Sequence, residues 1–283
     1  MPLLHAVVLA LVQAATEFLP VSSTAHLVLV PWLAGWPEHS LAFDIALHMG
    51  TLLAVLAYFF RTWVRLVFLA FGKEVWKPEP GEADHDLYEN PRLFVYLAAA
   101  TIPAGVAGLL LKDLVETTLR SPIIIGVMLI VVGLVLGWAD RRPSLTRHLG
   151  DISFREAMAI GFAQAIALIP GTSRSGITIS TAMTYGLTRA SAARFSFLLS
   201  TPIILGASLK TALDVVQEGG LPAGQTTAFA VGVVVAAIAG YAVIAFFIRY
   251  LQRATMRLFV VYRILLGILV IALALLANLS PGA

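Results

Sequence analysis

The chain of 283 residues contains no cysteine, which excludes a disulfide framework, a thiolate nucleophile and any cysteine metal site, and leaves the redox compartment undetermined. It is also short of charge. Only 12% of its residues are charged against 59% hydrophobic, and the mean hydropathy of +0.89 lies far outside the usage of water-soluble domains. These shortages rule out a globular domain in water. No cationic stretch precedes the first apolar run and no small-residue cleavage site follows it, so Met1 to Ala10 reads as retained protein and not as a signal peptide. A net charge of +3 and a pI of about 9.3 raise the idea of nucleic acid. The basic residues, however, collect in short loops beside apolar segments, where their role is to set orientation in a membrane, so no nucleic-acid partner is expected.

What the chain has in quantity is long apolar segments, at about 41–60, 93–111, 121–139, 195–213, 226–248 and 258–279, each near the roughly 20 residues that a spanning helix needs. The expected fold is a single all-α polytopic membrane domain, 1–283, with six spans. Two further apolar regions, 3–36 and 154–187, are each interrupted by a polar, proline-containing tract, "PVSSTAH" and "PGTSRSG", and neither half of either is long enough to cross alone. Arginines and lysines crowd the loops 61–92 (Arg61, Arg65, Lys73, Lys77, Arg92), 139–155 (Arg141, Arg142, Arg147, Arg155) and 249–257 (Arg249, Arg253, Arg257), which makes these cytoplasmic. The loops 112–120 and 210–225 hold only Lys112, Arg120 and Lys210, and face outward with both chain ends. The charged stretch 73–92 reads as a solvated loop.

This pattern closes only if both interrupted regions are re-entrant, entering and leaving from one side. They also resemble each other: Gln13 and Gln164 open a short apolar run, Pro20 and Pro170 end it, and Ser23 and Ser173 follow three residues later. Residues 1–139 and 151–283 are therefore expected to be the halves of an inverted-topology repeat, whose broken helices meet tip to tip near the bilayer midplane. Irregular backbone at that depth survives only where protein or a water-filled cavity satisfies its polar groups.

In the second tract Ser173, Ser175 and Thr178 stand where a half-helix restarts, residues suited to capping. The free N–H groups and positive end of that helix favour an anion, and Arg174 can fork two hydrogen bonds onto phosphate or carboxylate oxygens. In the first tract Gln13 and Glu17 share a helix face and can hold a hard divalent cation, Mg2+ or Ca2+, that recruits phosphate oxygens to complete its shell. Ser22, Ser23 and Thr24 follow as caps of the returning half-helix, with His26 one turn into it. An imidazole is the usual general acid or base, and a hydroxyl beside a base is a nucleophile. Convergence of Glu17, Ser23, His26 and Arg174 would address a polyanion with a phosphoryl group to transfer. The plainer alternative is that Arg174 only neutralises Glu17. Asp44 and His48, four apart, are expected to share a structural hydrogen bond. Arg263 in the last span suits snorkelling, a backbone-carbonyl partner or substrate equally. Gly126, Gly133 and Gly137, with Gly232 and Gly240, are expected at close helix contacts.

The stretches "QAATEFLPVSSTAH" and "PGTSRSGITIS" resemble the two signature motifs of the bacterial undecaprenyl-diphosphatase family, the bacitracin-resistance membrane phosphatases, and the tracts "FSFLLSTP" and "YR" extend the likeness along nearly the whole chain. The resemblance implies hydrolysis of a C55 isoprenoid diphosphate to the monophosphate carrier of cell-wall synthesis, in the bacterial inner membrane, with a divalent cation and a site opening to the periplasm. It implies a metal-binding or catalytic role for Glu17 and catalytic roles for Ser23 and His26, with Ser173, Arg174 and Thr178 binding diphosphate. Many members have Glu where this chain has Gln13, which weakens the cation site by one charge. Homodimerisation is compatible with this reading. The competing class is a transporter or lipid flippase, since broken helices in inverted repeats suit translocation. The signatures of the acid-phosphatase-like lipid phosphatases are absent.

Overall fold

The computed structural model describes residues 1–77, 87, 89–111, 119, 121–217 and 224–279. Lys112, Arg120 and half of the charged stretch 73–92 lie outside the described residues. Eleven α-helices and no strand occur among the described residues: α1 Leu3–Phe18, α2 Ser23–Ala34, α3 Leu41–Tyr58, α4 Phe60–Ala70, α5 Leu93–Leu110, α6 Pro122–Asp140, α7 Phe154–Ile166, α8 Arg174–Thr184, α9 Arg189–Gln217, α10 Thr226–Leu251 and α11 Arg257–Leu279. Six of these, α3, α5, α6, α9, α10 and α11, are long and apolar enough to span a membrane. They coincide with the expected six. The chain is a multi-pass membrane protein.

The surface is inverted relative to a soluble protein. Ile102, Leu109, Ile238 and Leu265 are each more than 60% exposed, whereas Arg263 is wholly buried. Lipid, not water, meets the outer faces. Glycines set the closest helix contacts. A Cβ on Gly126 of α6 would stand 2.9 Å from the Gly267 carbonyl of α11, and one on Gly240 of α10 would press on Ala54 and Phe18 at 3.0 and 3.1 Å. Gly133, Gly137 and Gly232 pack in the same way.

The loop expected at 61–92 begins with a helix. In α4, Thr62, Arg65, Leu66 and Leu69 are buried and recur at helical spacing, while Phe60 and Phe68 face out. A span-length window passes over eleven residues of this kind.

Both interrupted regions are broken helical hairpins, α1–α2 and α7–α8. Each turn ends on a serine with positive φ, Ser22 at 77° and Ser173 at 66°, immediately before the returning half-helix. Side chains other than glycine rarely adopt that conformation, and it persists only where surroundings enforce it. Ser22 and Ser173 are 151 residues apart, the same spacing that separates Gln13 from Gln164 and Pro20 from Gly171. Packing is exchanged in the same sense, α1 lying on α10 and α7 on α5.

One side chain ties both turns to the spans. Arg263 of α11 donates from Nη1 to the Pro20 carbonyl (3.1 Å), from Nη2 to those of Gly171 and Thr172 (2.9 Å each) and Met128 (3.3 Å), and from Nε to Leu129 (3.2 Å). Pro20 and Gly171 each lie two residues before a strained serine. Of the three readings open for Arg263, backbone pairing is the one observed. Carbonyls freed where a helix breaks need donors, and a five-donor guanidinium inside the protein supplies them.

Candidate active site

The two turns enclose a cavity of about 270 Å³, lined by Glu17, Ser23, His48, Ser173 and Arg174 and closed by α9 at Ile203, Ile204, Ala207 and Ser208. Its charged floor follows from helix spacing. Glu17 lies in the last turn of α1, so its carboxylate extends beyond the helix end into the opening. Arg174 is the first residue of α8 and reaches the same place from the other hairpin. Their pair, Arg174 Nη2 to Glu17 Oε1 at 2.6 Å, joins residues 157 apart in the chain. Arg174 Nη1 donates to the Ser200 carbonyl at 3.2 Å, so the fork is held at two points. The second carboxylate oxygen, Oε2, accepts from the Ser23 hydroxyl at 2.7 Å and from Gln13 Nε2 at 3.1 Å. Glu17 is thus a hub for both turns.

The pairing offered as the plainer alternative is present, but it is not sealed. The Arg174 side chain is 16% exposed and both partners line the cavity. A pair that only neutralised two charges would gain nothing from an open pocket at its side.

The remaining residues singled out in the sequence divide between the cavity and its frame. Ser173 lines the cavity, and its hydroxyl accepts from the Gly176 amide at 3.1 Å, the expected cap. Ser175 stands behind it and donates to the Leu19 carbonyl of the other turn at 3.1 Å. Thr178 is fully buried, bonded to the Arg174 carbonyl at 2.8 Å and the Ser196 hydroxyl at 2.7 Å. Gln13 is buried behind Glu17. Ser22 occupies the N-cap of α2 but makes no capping bond, and the Ser23 hydroxyl turns to Glu17 instead.

His26 departs from expectation. Its Nδ1 folds back along α2 onto the Ser22 carbonyl at 2.7 Å, its Nε2 meets the Tyr262 hydroxyl of α11 at 2.6 Å, and it is not among the residues lining the cavity. The imidazole that does line the cavity is His48, whose Nε2 is 3.5 Å from Glu17 Oε2. The expected Asp44–His48 hydrogen bond is made, through the backbone: His48 Nδ1 donates to the Asp44 backbone carbonyl at 2.7 Å, while the Asp44 carboxylate pairs with His39 Nε2 at 2.6 Å. Sequence spacing could pair 44 with 48, but only the fold brings α3 beside the first turn.

No cluster of three or more His, Cys, Asp or Glu side chains suited to a metal occurs among the described residues. The donor set nonetheless fits a hard cation that takes most of its shell from substrate. Glu17 offers a carboxylate at the cavity, and Gln13 Oε1 is buried without a hydrogen-bond partner. A half-turn of that amide would direct the oxygen toward Glu17.

Comparison with known proteins identifies the family. The family profile described as "Bacitracin resistance protein BacA" matches residues 6–269. A protein of Desulforudis audaxviator named undecaprenyl-diphosphatase is 52% identical over 270 residues, covering 95% of this chain and 97% of that one. One of Pelotomaculum thermopropionicum with the same name is 44% identical, covering 97% of each chain. "Undecaprenyl-diphosphatase 2" of Stutzerimonas stutzeri is 45% identical, covering 96% of this chain and 98% of its own. With a family match across nearly its whole length, the chain belongs to the bacitracin resistance protein BacA family.

Proposed function

We propose that this protein hydrolyses undecaprenyl diphosphate to undecaprenyl phosphate and phosphate, recycling the lipid carrier and so conferring bacitracin resistance. The observation that carries the reading is the Arg174–Glu17 pair on the floor of a polar cavity between two helix breaks. A diphosphate carries more charge than one carboxylate and matches the guanidinium fork, so it displaces Glu17 from Arg174. The free amides at the start of α8 add to this cradle. Glu17, released beside Ser23, is then the carboxylate next to the reacting phosphorus. Ser173 lines the cradle, while Ser175 and Thr178 hold its backbone, Ser175 across to the first turn and Thr178 on the Arg174 carbonyl. His26 acts as a positioning residue, holding the Ser22 carbonyl at the strained corner that delivers Ser23.

Glu17, with Gln13 behind it, would hold the divalent cation together with substrate oxygens. When bound, Mg2+ or Ca2+ would offset the charge that develops on the phosphoryl oxygens. The isoprenoid chain remains in lipid among the spans. The halves 1–139 and 151–283 form an inverted-topology repeat, a reading supported by the matched strained serines and by the exchanged packing of α1 and α7. The cavity opens to the periplasmic face of a bacterial inner membrane, with both termini on that side. Support comes from its lining by Ile45 and His48 near the start of α3 and by Ala207 and Ser208 late in α9, the ends that adjoin cation-poor segments. One chain carries every cavity residue, so a homodimer is not needed for the chemistry. The hydroxyl–carboxylate contact of Ser23 and Glu17 favours hydrolysis over transport or lipid flipping.

The test is phosphate release by purified protein in detergent from a long-chain prenyl diphosphate, with and without chelator. Release that requires Mg2+ or Ca2+ is expected; no release with either cation present would refute hydrolysis.

A further inference from the structure

A histidine bonded through one ring nitrogen to a backbone carbonyl has its tautomer set, because a carbonyl only accepts. His48 meets this condition through Nδ1 and the Asp44 carbonyl at 2.7 Å. The hydrogen is therefore on Nδ1, and Nε2 of the neutral ring presents a lone pair to the cavity. That lone pair faces Glu17 Oε2 at 3.5 Å, longer than the roughly 2.7–2.9 Å of a direct charge-assisted bond. The gap is the span of a bridging water, which would donate to the ring nitrogen and so stand where a general base takes a proton.

The surroundings fit. The His48 side chain is 31% exposed and shares its helix face with Ile45, which also lines the cavity. The charged groups facing it are Glu17 from α1 and Arg174 from α8. The part of α9 facing it is Ile203, Ile204, Ala207 and Ser208. The α10 surface against α3 is apolar, with Gly232, Ala236 and Gly240 at the contacts. On its own helix the Asp44 carboxylate is engaged by His39. His26 offers no comparable atom, since Nδ1 and Nε2 are both bonded away from the cavity.

We propose that His48 is a further catalytic residue, whose Nε2 receives the proton of the water that attacks the terminal phosphorus. The proposal rests on the hydrolysis reading above. The water oxygen forms the new P–O bond as its proton passes to Nε2. The bond from the terminal phosphorus to the bridging oxygen breaks, and its electron pair leaves with the lipid monophosphate. His48 then returns its proton to the released phosphate or to solvent, so charge and atoms balance without another reactant.

The experiment compares parent, His48→Ala, His48→Gln and Arg174→Ala in the detergent assay with saturating Mg2+. For both His48 variants kcat falls by about 10²–10⁴-fold, the scale of general-base catalysis, with KM within about threefold of the parent. Free imidazole restores part of kcat to His48→Ala and none to Arg174→Ala. Three results overturn the proposal: kcat within about tenfold of the parent, a rise in KM alone, or a fall in kcat that imidazole leaves untouched. Loss of the monodisperse folded peak in both variants would assign His48 to the fold and overturn it equally. An inactive parent would instead sink the hydrolysis reading on which it rests.

Discussion

At the scale of single residues, the cavity depends on a few side chains that each perform more than one task. Arg174 holds Glu17 and the Ser200 carbonyl in the resting chain and is proposed to pass to phosphate in the reacting one. Arg174→Ala and Glu17→Ala are each expected to lower activity at least about 10²-fold, the scale of losing one transition-state stabiliser. A folded variant with near-parental phosphate release would remove that residue from the site. Gln13 offers a gain-of-charge test. Gln13→Glu adds a second carboxylate beside Glu17 and should reduce the Mg2+ concentration for half-maximal activity by about tenfold, read from a metal titration of rate. Glu17, Ser23 and Arg174 were legible in the sequence because a carboxylate, hydroxyls and a guanidinium beside helix breaks at membrane depth are too costly to keep without a use. His48 was not, because its partner Glu17 lies 31 positions away on another helix. The orientation of His26 was also illegible, since it is decided by Tyr262 from the far end of the chain.

At the scale of elements, both broken hairpins rely on donors from elsewhere. Arg263 serves five carbonyls, and an unsatisfied buried carbonyl costs about 1–3 kcal/mol. Arg263→Met should therefore lower the thermal midpoint in detergent by at least about 6 °C, allowing water to reach some of the freed groups. A midpoint equal to the parent's would show that the turns stand without this staple. The loop end of α7 is fastened differently. Ser153 and Glu156 form a reciprocal cap, and Arg147 grips both carboxylate oxygens of Glu156 at 2.6 and 3.0 Å while also donating to the Tyr185 carbonyl. Burial alone would raise the Glu156 carboxyl, but the bonds from Arg147 and Ser153 outweigh it and hold it below its ordinary value of 4.5. A lowered acid stabilises the fold above that ordinary value, and the contribution fades as pH falls through the folded-state value. The midpoint difference between parent and Glu156→Gln should be flat above about pH 5 and shrink below about pH 4. A difference that grew on acidification would contradict this assignment. The hairpins were readable from proline and polar interruptions, but the strained serines at their corners were not, because a positive φ at a residue other than glycine leaves no mark in composition.

At the scale of the molecule, five of the six spans were legible to within about three residues, because an uncharged apolar run as long as a bilayer is thick has little use except to cross one; α9 begins six residues earlier than expected. The short amphipathic α4 escaped notice for the complementary reason, being too short and too mixed to register as a span. Orientation can be tested directly because the chain lacks cysteine. Single cysteines at Glu38 and Gln225 should react with an impermeant maleimide on intact spheroplasts, whereas those at Ser144 and Arg253 should react only after the membrane is opened. The reverse labelling would invert the proposed topology. The size of the cavity has a kinetic corollary. Some 270 Å³ admits a diphosphate and a few waters but no long hydrocarbon chain. An enzyme that takes only the headgroup samples substrate in two dimensions, so its turnover should follow the mole fraction of lipid diphosphate in the bilayer or micelle, diluting with added detergent even at constant bulk concentration.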